Sequence, residues 1–243
     1  MNTAVWTEHF RVRSYEADSS GRASIQNICN YLQEAASNHA AELGVSIEQL
    51  TDQQLVWMLA RLHVQVDEYP GWREEVTVET WPSGADLLYA TRDFNVRTGA
   101  GTLARGTSAW LLVDANRRRP IRVPDFIKRI ELPERERVLE DRTDKLPDPP
   151  DSAEEHPVRV RYSDQDLIGH VNNVLYIDWA VESVPLVETH VVQSLEAQFR
   201  AEAHYGDLVT VRTGQTKRPG EFLHLVKSED LELARIRTTW RPR

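Results

Sequence analysis

Arg161-Tyr162-Ser163-Asp164-Gln165-Asp166-Leu167-Ile168-Gly169-His170-Val171-Asn172-Asn173-Val174 sets two carboxylates, a glycine turn, a histidine and two asparagines directly ahead of an apolar helical pattern. Asn172 or Asn173 is a good N-cap, and Val174, Ile177, Val181 and Val184 then lie along one helical face until Pro185. Acids and a histidine converging on a helix N-terminus are the parts needed to attack an acyl carbonyl with water.

The chain carries a second, altered version of this stretch near its start. At an offset of 148 residues, Arg11, Val12 and Arg13 fall on Arg159, Val160 and Arg161. Glu16, Asp18 and Gly21 likewise fall on Asp164, Asp166 and Gly169, and Ser24 on Asn172. The telling mismatch is Arg22, which stands where the second copy has His170. Downstream, at an offset of 133, Leu62, Val64 and Val66 fall on Leu195, Ala197 and Phe199, and Val76–Thr80 on Val209–Thr213. At 130, Leu103-Ala104-Arg105 falls on Leu233-Ala234-Arg235, and Trp110 on Trp240. The same order over the whole length means a duplicated fold, with a unit too long for a solenoid repeat.

Each copy reads strand, helix, then several strands. Phe10–Arg13 and Val158–Arg161 alternate apolar and basic, the period of a half-buried strand. Ser24 is the expected cap of a helix bearing Ile25, Ile28, Cys29, Leu32 and Ala36, and Ser46-Ile47-Glu48-Gln49 has the form of a capping box. The runs Leu62–Val66, Val76–Trp81, Leu87–Val96, Leu103–Val113, Leu195–Phe199, Leu208–Thr213, Phe222–Lys227 and Leu231–Trp240 read as strands, several separated by turn signals. Residues 132–157 are rich in Pro, Asp, Glu and Arg and read as a connecting segment, with Glu134–Arg137 as a helical turn. The expected organisation is therefore α+β. An N-terminal domain spans 1–131, a linker 132–157 and a C-terminal domain 158–243. Each domain is one antiparallel sheet wrapped around a central helix, the double hot-dog arrangement.

The net charge of −9 argues against general nucleic-acid binding, which needs a basic face. No apolar run approaches a membrane span; Leu55–Ala60 is among the longest. The N-terminus lacks both a basic start and an apolar signal core, and the lone Cys29 excludes an internal disulfide, so a cytoplasmic location is expected.

Asp-x-Asp-x-x-Gly-His-Val-Asn-Asn followed by an aromatic helix resembles the hot-dog thioesterases. Two copies, with the intact motif in the second, resemble the acyl-acyl carrier protein thioesterases of bacteria and plants over nearly the whole chain. The resemblance implies catalytic roles for Asp166 and His170, and for Glu202 within Phe199-Arg200-Ala201-Glu202. It implies hydrolysis of fatty acyl-acyl carrier protein, with no cofactor beyond the phosphopantetheine that the substrate carries. Two positions depart from the plant pattern. Ile168 stands where those members have Asn, and Ala203 where they have Cys, so neither role carries over.

In this reading Asp166 activates water or attacks the carbonyl itself, Glu202 shares that task or holds the water, and His170 orients the attacking group or donates to the thioester oxygen. Backbone N–H groups of Gly169, Val171, Asn172 and Asn173 are the expected oxyanion site, since a helix N-terminus carries partial positive charge. No metal is implied by the ligand spacing. Asp164 more simply ends a strand and opens a turn; Cys29 reads as core, and so do the tryptophans, with walls of an acyl tunnel as the alternative for some of them. The basic group Arg117, Arg118, Arg119, Arg122, Lys128 and Arg129 stands out in an acidic chain. It is either a solvated turn or a docking patch for an acidic carrier protein. An acyl-CoA thioesterase and a dehydratase-like or non-catalytic acyl-binding protein of the same fold are the alternatives, and a homodimer is left open.

Overall fold

The computed structural model describes residues 4–140 and 142–243. The chain divides into two compact units, Met1–Asp141 and Arg142–Arg243.

Unit 1 contains β1 (Trp6–Arg11), α1 (Ile25–Glu42), α2 (Ile47–Thr51), β2 (Leu55–Val66), β3 (Glu75–Ala85), β4 (Tyr89–Thr98), β5 (Gly101–Asp114), β6 (Arg119–Ile121) and α3 (Asp125–Lys128). Its antiparallel sheet runs β1-β3-β4-β5-β2, with β6 paired to β5. The central helix α1 starts where the Ser24 side chain accepts the Asn27 N–H, and it buries Ile25, Ile28, Cys29, Leu32, Ala35 and Ala36, the i, i+3, i+4 stripe of an amphipathic helix. It ends at Leu43, followed by Gly44 at φ +76°, whose N–H and that of Val45 take up the free carbonyls of Ala41 and Ala40. The expected capping box at Ser46 and Gln49 is present at the start of α2. Val64, Val76, Val78, Phe94, Val96 and Ala104 are buried at alternating strand positions and supply the sheet's share of the core. Cys29 is buried among them, and burial pushes its thiol up to about 12.

Unit 2 contains β7 (Glu154–Arg159), a 3₁₀ turn at Tyr162–Asp164, α4 (Asn173–Glu182), β8 (His190–Phe199), β9 (Leu208–Gln215), β10 (Glu221–Ser228) and β11 (Leu231–Pro242). Its sheet runs β7-β9-β10-β11-β8, the same order as unit 1 element for element. The likeness extends to register. Trp6 pairs with Thr80 in unit 1 and Glu154 with Thr213 in unit 2, which are the offsets 148 and 133. Val64 pairs with Gly106 and Ala197 with Ile236, offsets 133 and 130. The sequence repeat is thus a repeat of strand pairing, and both units are hot-dog folds.

Two local readings differ from expectation. Strands β1 and β7 end at Arg11 and Arg159, so Val12, Arg13, Val160 and Arg161 lie beyond them. Val12 and Val160 are still buried, which is why their alternation looked like strand. Glu134–Arg137 is not a helical turn. Arg135 lies over the Trp81 ring, and Arg137 donates to the buried Asp93 carboxylate at 3.0 Å, so long-range partners on β3 and β4 hold this stretch open. Residues 142–157 are likewise fastened to their own unit. Leu146 is buried, its N–H donates to the Gln198 side chain and its carbonyl accepts from Arg235, while Arg142 pairs with Glu196.

Candidate active site

Between β7 and α4 the chain folds into a tight loop whose internal hydrogen bonds come mostly from its two aspartates, with the Gln165 side chain donating to the Gly169 carbonyl at 2.6 Å. Asp164 is buried; its carboxylate accepts from the Arg161 N–H (2.8 Å) and Nε (3.0 Å), and its carbonyl accepts from the Asn172 N–H (3.0 Å). It ties the strand exit to the helix start, the structural job expected of it. The Asp166 N–H donates to the His170 carbonyl (2.8 Å), and the Asp166 carbonyl accepts from the Gly169 N–H (3.0 Å). Its Oδ1 accepts from the N–H groups of Ile168 (3.0 Å) and His170 (3.2 Å). Oδ2 has no protein donor among the described residues. Closing so small a loop requires φ +81° at Gly169, a left-handed conformation that glycine adopts without a Cβ penalty.

The loop delivers His170 to Glu202, which lies between β8 and β9. His170 Nδ1 stands 3.2 Å from Glu202 Oε1, and the two side chains are 32% and 27% exposed, open enough for a ligand to reach. With Nδ1–H donating to the carboxylate, a neutral ring keeps a lone pair on Nε2, so it can take a proton there and donate only once protonated. The segment bearing Glu202 is pinned on both sides. The Val171 N–H reaches the Ala203 carbonyl at 3.4 Å, and the Ala203 N–H donates to the Tyr176 hydroxyl oxygen at 2.9 Å. Tyr176, on α4, is raised to about 12, chiefly by burial; the Ala203 hydrogen bond opposes that and the charges of Glu202, Asp207 and Asp166 add to it. Sequence reading missed Tyr176 and also His204, whose ring centroid lies 5.8 Å from that of His170. A tyrosine one turn after the helix cap was the available signal for the first.

The oxyanion expectation narrows. The N–H groups of Gly169, Val171 and Asn172 already donate to the carbonyls of Asp166, Ala203 and Asp164. Asn172 caps α4, its side chain accepting the Val174 N–H at 2.9 Å. The Asn173 N–H, at the first helical position, remains without a protein acceptor among the described residues and is the group best placed to meet developing negative charge.

Unit 1 has the same loop with different chemistry. The Asp18 N–H donates to the Arg22 carbonyl (2.8 Å), its carbonyl accepts from Gly21 (2.9 Å), and its Oδ1 accepts from the N–H groups of Ser20 (2.8 Å) and Arg22 (3.4 Å). Gly21 has φ +76°. Where unit 2 brings His170 to Glu202, unit 1 brings Arg22 to Tyr69, the guanidinium donating to the Tyr69 carbonyl at 2.6 Å.

The basic group lies in unit 1. Arg117, Arg118, Arg119, Arg122, Lys128 and Arg129 are all exposed along β6, α3 and their flanks. Among the described residues, Arg117 is the one of these with a nearby carboxylate, Asp114 at 3.9 Å. Phe126 of α3 is exposed beside them in sequence.

Residues 3–130 match the family model described as the acyl-ACP thioesterase N-terminal domain, and residues 148–242 match the C-terminal domain. The chain is 34% identical to the chloroplastic palmitoyl-acyl carrier protein thioesterase of Gossypium hirsutum, over 98% of this chain and 64% of that protein. It is 31% identical to the chloroplastic oleoyl-acyl carrier protein thioesterase 1 of Arabidopsis thaliana, over 97% of this chain and 76% of that one. It thus spans less than two thirds of the cotton relative's length. Among solved structures, the 12:0-ACP thioesterase from Umbellularia californica superposes with a TM-score of 0.89 at 30% identity, covering 100% of this chain and 99% of that one. Duplicated fold, asymmetric loops and both family matches agree: the chain belongs to the acyl-ACP thioesterase family.

Proposed function

We propose that this chain hydrolyses fatty acyl-acyl carrier protein to a free fatty acid and the carrier-protein thiol. The observation that carries the proposal is the contact of His170 Nδ1 with Glu202 Oε1, in the loop where Asp166 keeps one carboxylate oxygen open, in unit 2 alone. Asp166, through its open carboxylate oxygen, activates the attacking water by holding it against the thioester carbonyl, or attacks that carbon itself to give an acyl anhydride that water then cleaves. Glu202 sets the His170 ring so that Nε2 can take a proton from the attacking water, and the Asn173 N–H faces the oxyanion. Water adds its oxygen to the carbonyl carbon, the C–S bond breaks, and the sulfur leaves as thiolate. A thiol pKa of about 8.5 means departure needs no strong acid, so a neutral histidine suffices. The reading calls for no cofactor of the protein's own.

Names of relatives, palmitoyl-, oleoyl- and 12:0-ACP thioesterases, support a carrier-protein substrate over CoA. The exposed cations from Arg117 to Arg129 are the docking patch in this reading, suited to an acidic carrier. Among the described residues no helix is long and apolar enough to cross a membrane, and the single buried cysteine fits a reducing compartment such as the cytoplasm. A thiol-release assay tests the activity. Acyl-carrier substrate should be cleaved with higher kcat/KM than the matching acyl-pantetheine, and absence of thiol release from every acyl thioester tried would turn the reading to a non-hydrolytic acyl binder. Neutralising Arg117, Arg118 and Arg119 together should raise KM for the carrier substrate and flatten its salt dependence; an unchanged KM removes the patch.

A further inference from the structure

Unit 1 has a cleft of about 520 Å³ whose lining includes His9, Arg11, Arg13, Trp72 and Arg73. Arg13 is paired with Glu16, but Arg11 and Arg73 have no carboxylate partner among the described residues, in a chain of net charge −9. Glu75 faces Arg11 in the strand register without forming an ion pair. Arg11 Nε is held by the Arg73 carbonyl at 3.3 Å, and the Arg73 guanidinium lies over the Trp72 ring at 4.1 Å. Trp72 is 51% exposed with the Arg73 cation on its ring, so part of the indole is accessible to a ligand.

The copy in unit 2 shows which of these features are dispensable for the fold. Arg159 donates to the Gly206 carbonyl at 3.2 Å, as Arg11 does to Arg73. The equivalent of Arg73 is thus Gly206, and both are left-handed, at φ +69° and +89°. Glycine is the undemanding residue for that conformation; arginine is not. Arg73 is one of four described non-glycine residues at positive φ, and it alone among them is stacked on an exposed tryptophan and lines a cleft together with a second guanidinium that has no carboxylate partner among the described residues, a combination that points to ligand binding.

We infer that this cleft binds the phosphorylated adenosine end of a nucleotide-bearing ligand, with phosphate on Arg11 and Arg73 and the base against the exposed part of Trp72. Two guanidiniums suit a phosphate through paired charge-assisted hydrogen bonds, and an indole face suits a purine. A free nucleotide and coenzyme A both carry this group. The site is independent of turnover, so its test does not depend on the proposed hydrolysis.

Isothermal titration of the whole chain with adenosine 3′,5′-bisphosphate, coenzyme A, phosphopantetheine and adenosine provides that test. Saturable binding of the bisphosphate is expected, with phosphopantetheine and adenosine each at least about tenfold weaker. Coenzyme A binding as tightly as the bisphosphate, or more tightly, identifies the coenzyme as the source; markedly weaker coenzyme A binding identifies a free nucleotide. Arg73→Gly copies the residue of unit 2 and should fold with an unchanged or higher Tm while weakening the bisphosphate about tenfold or more. Trp72→Ala should weaken the bisphosphate and leave phosphopantetheine unchanged. Wild-type affinity in Arg73→Gly and Arg11→Gln, equal binding of adenosine and the bisphosphate, or no saturation by any of the four probes would overturn the site. So would binding of an acidic carrier protein that the bisphosphate does not displace.

Discussion

The loops at Asp18 and Asp166 have the same hydrogen bonds and opposite chemistry. Each aspartate closes its loop through backbone N–H, backbone carbonyl and Oδ1, each loop turns at a left-handed glycine, and each leads into the central helix of its unit. The difference lies in the pair of positions the loop brings together: Arg22 with the Tyr69 carbonyl in unit 1, His170 with the Glu202 carboxylate in unit 2. In the proposed mechanism Asp166 therefore has two separable jobs. Its hydrogen bonds to backbone amides are architecture, because the unit 1 loop keeps them; the proposed reactivity also needs the imidazole and the second acid, which among the described residues meet in unit 2.

Replacing one carboxylate oxygen is the strongest test of that division. Asp166→Asn preserves an acceptor for the Ile168 and His170 amides, so the loop should survive, while the base or nucleophile is lost. Thiol release should fall by about 10³-fold or more, roughly 4 kcal/mol of transition-state stabilisation. Asp18→Asn should leave turnover within about twofold. Equal losses in the two variants, with circular dichroism unchanged, would erase the distinction between the loops.

Next in size is the exchange of the paired positions. His170→Arg, which gives unit 2 the residue of unit 1, should lower kcat by about 10²-fold, in the range of a lost general base. Glu202→Gln should cost less alone and add little in the double variant, because the acid acts through the ring it orients. Fully additive losses in a double-mutant cycle would mean that the 3.2 Å contact has no catalytic meaning.

A third contrast sits under the helices. Thr80 pairs in register with Phe94, and Thr213 with His224, so a histidine replaces a core phenylalanine. His224 is fully enclosed. Its Nδ1 meets Thr213 Oγ1 (2.8 Å), which meets Ser183 Oγ (2.5 Å) at the end of α4, and its Nε2 meets Thr238 Oγ1 (2.9 Å). Ser183 donates to the Ala180 carbonyl, so Thr213 donates to Ser183 and His224 Nδ1–H to Thr213, which places a proton on Nδ1. Burial lowers its pKa to about 3, with His156 adding to the effect. Between about 6.5 and 3 the unfolded chain binds the proton and the folded chain does not, so stability is lost as pH falls through that window, by about 2 kcal/mol at pH 5. His224→Phe removes the titrating group, so denaturant melts at pH 7 and pH 5 should differ less for this variant than for wild type. An identical pH dependence would assign the acid sensitivity to other groups.

Much of this asymmetry was legible in the sequence because duplicated folds keep their offsets. The shifts of 148, 133 and 130 residues reappear as paired registers, and Arg22 against His170 marked the position where the two loops part. What stayed hidden depends on partners far along the chain. Glu134–Arg137 has helical composition, but Asp93, 44 residues before Arg137, holds it open. The role of Tyr176 rests on the Ala203 amide, and the polarity of the unit 2 core on the chance to join Ser183, Thr213, His224 and Thr238 in one line. Local periodicity carries no information about such meetings. The amides of Gly169 and Asn172 looked available on a helix-start argument, yet both are already used inside the loop.

The smallest effect tests whether the two loops are mechanically alike. Gly21 and Gly169 sit at φ +76° and +81°, and a Cβ added at either would meet open space or only the edge of a flexible side chain. Alanine at either site therefore costs backbone strain and little else, about 1 kcal/mol. Gly21→Ala and Gly169→Ala should lower Tm by similar, modest amounts. Their kinetics should part. Gly169→Ala shifts the amide that positions His170 on Asp166, so kcat falls along with stability, whereas Gly21→Ala perturbs a loop whose end group only grips a carbonyl and leaves kcat unchanged. If Gly21→Ala depressed kcat as strongly as Gly169→Ala at matched stability, the first loop would have a part in turnover, and the contrast between a scaffolding copy and a reactive one would have to be redrawn.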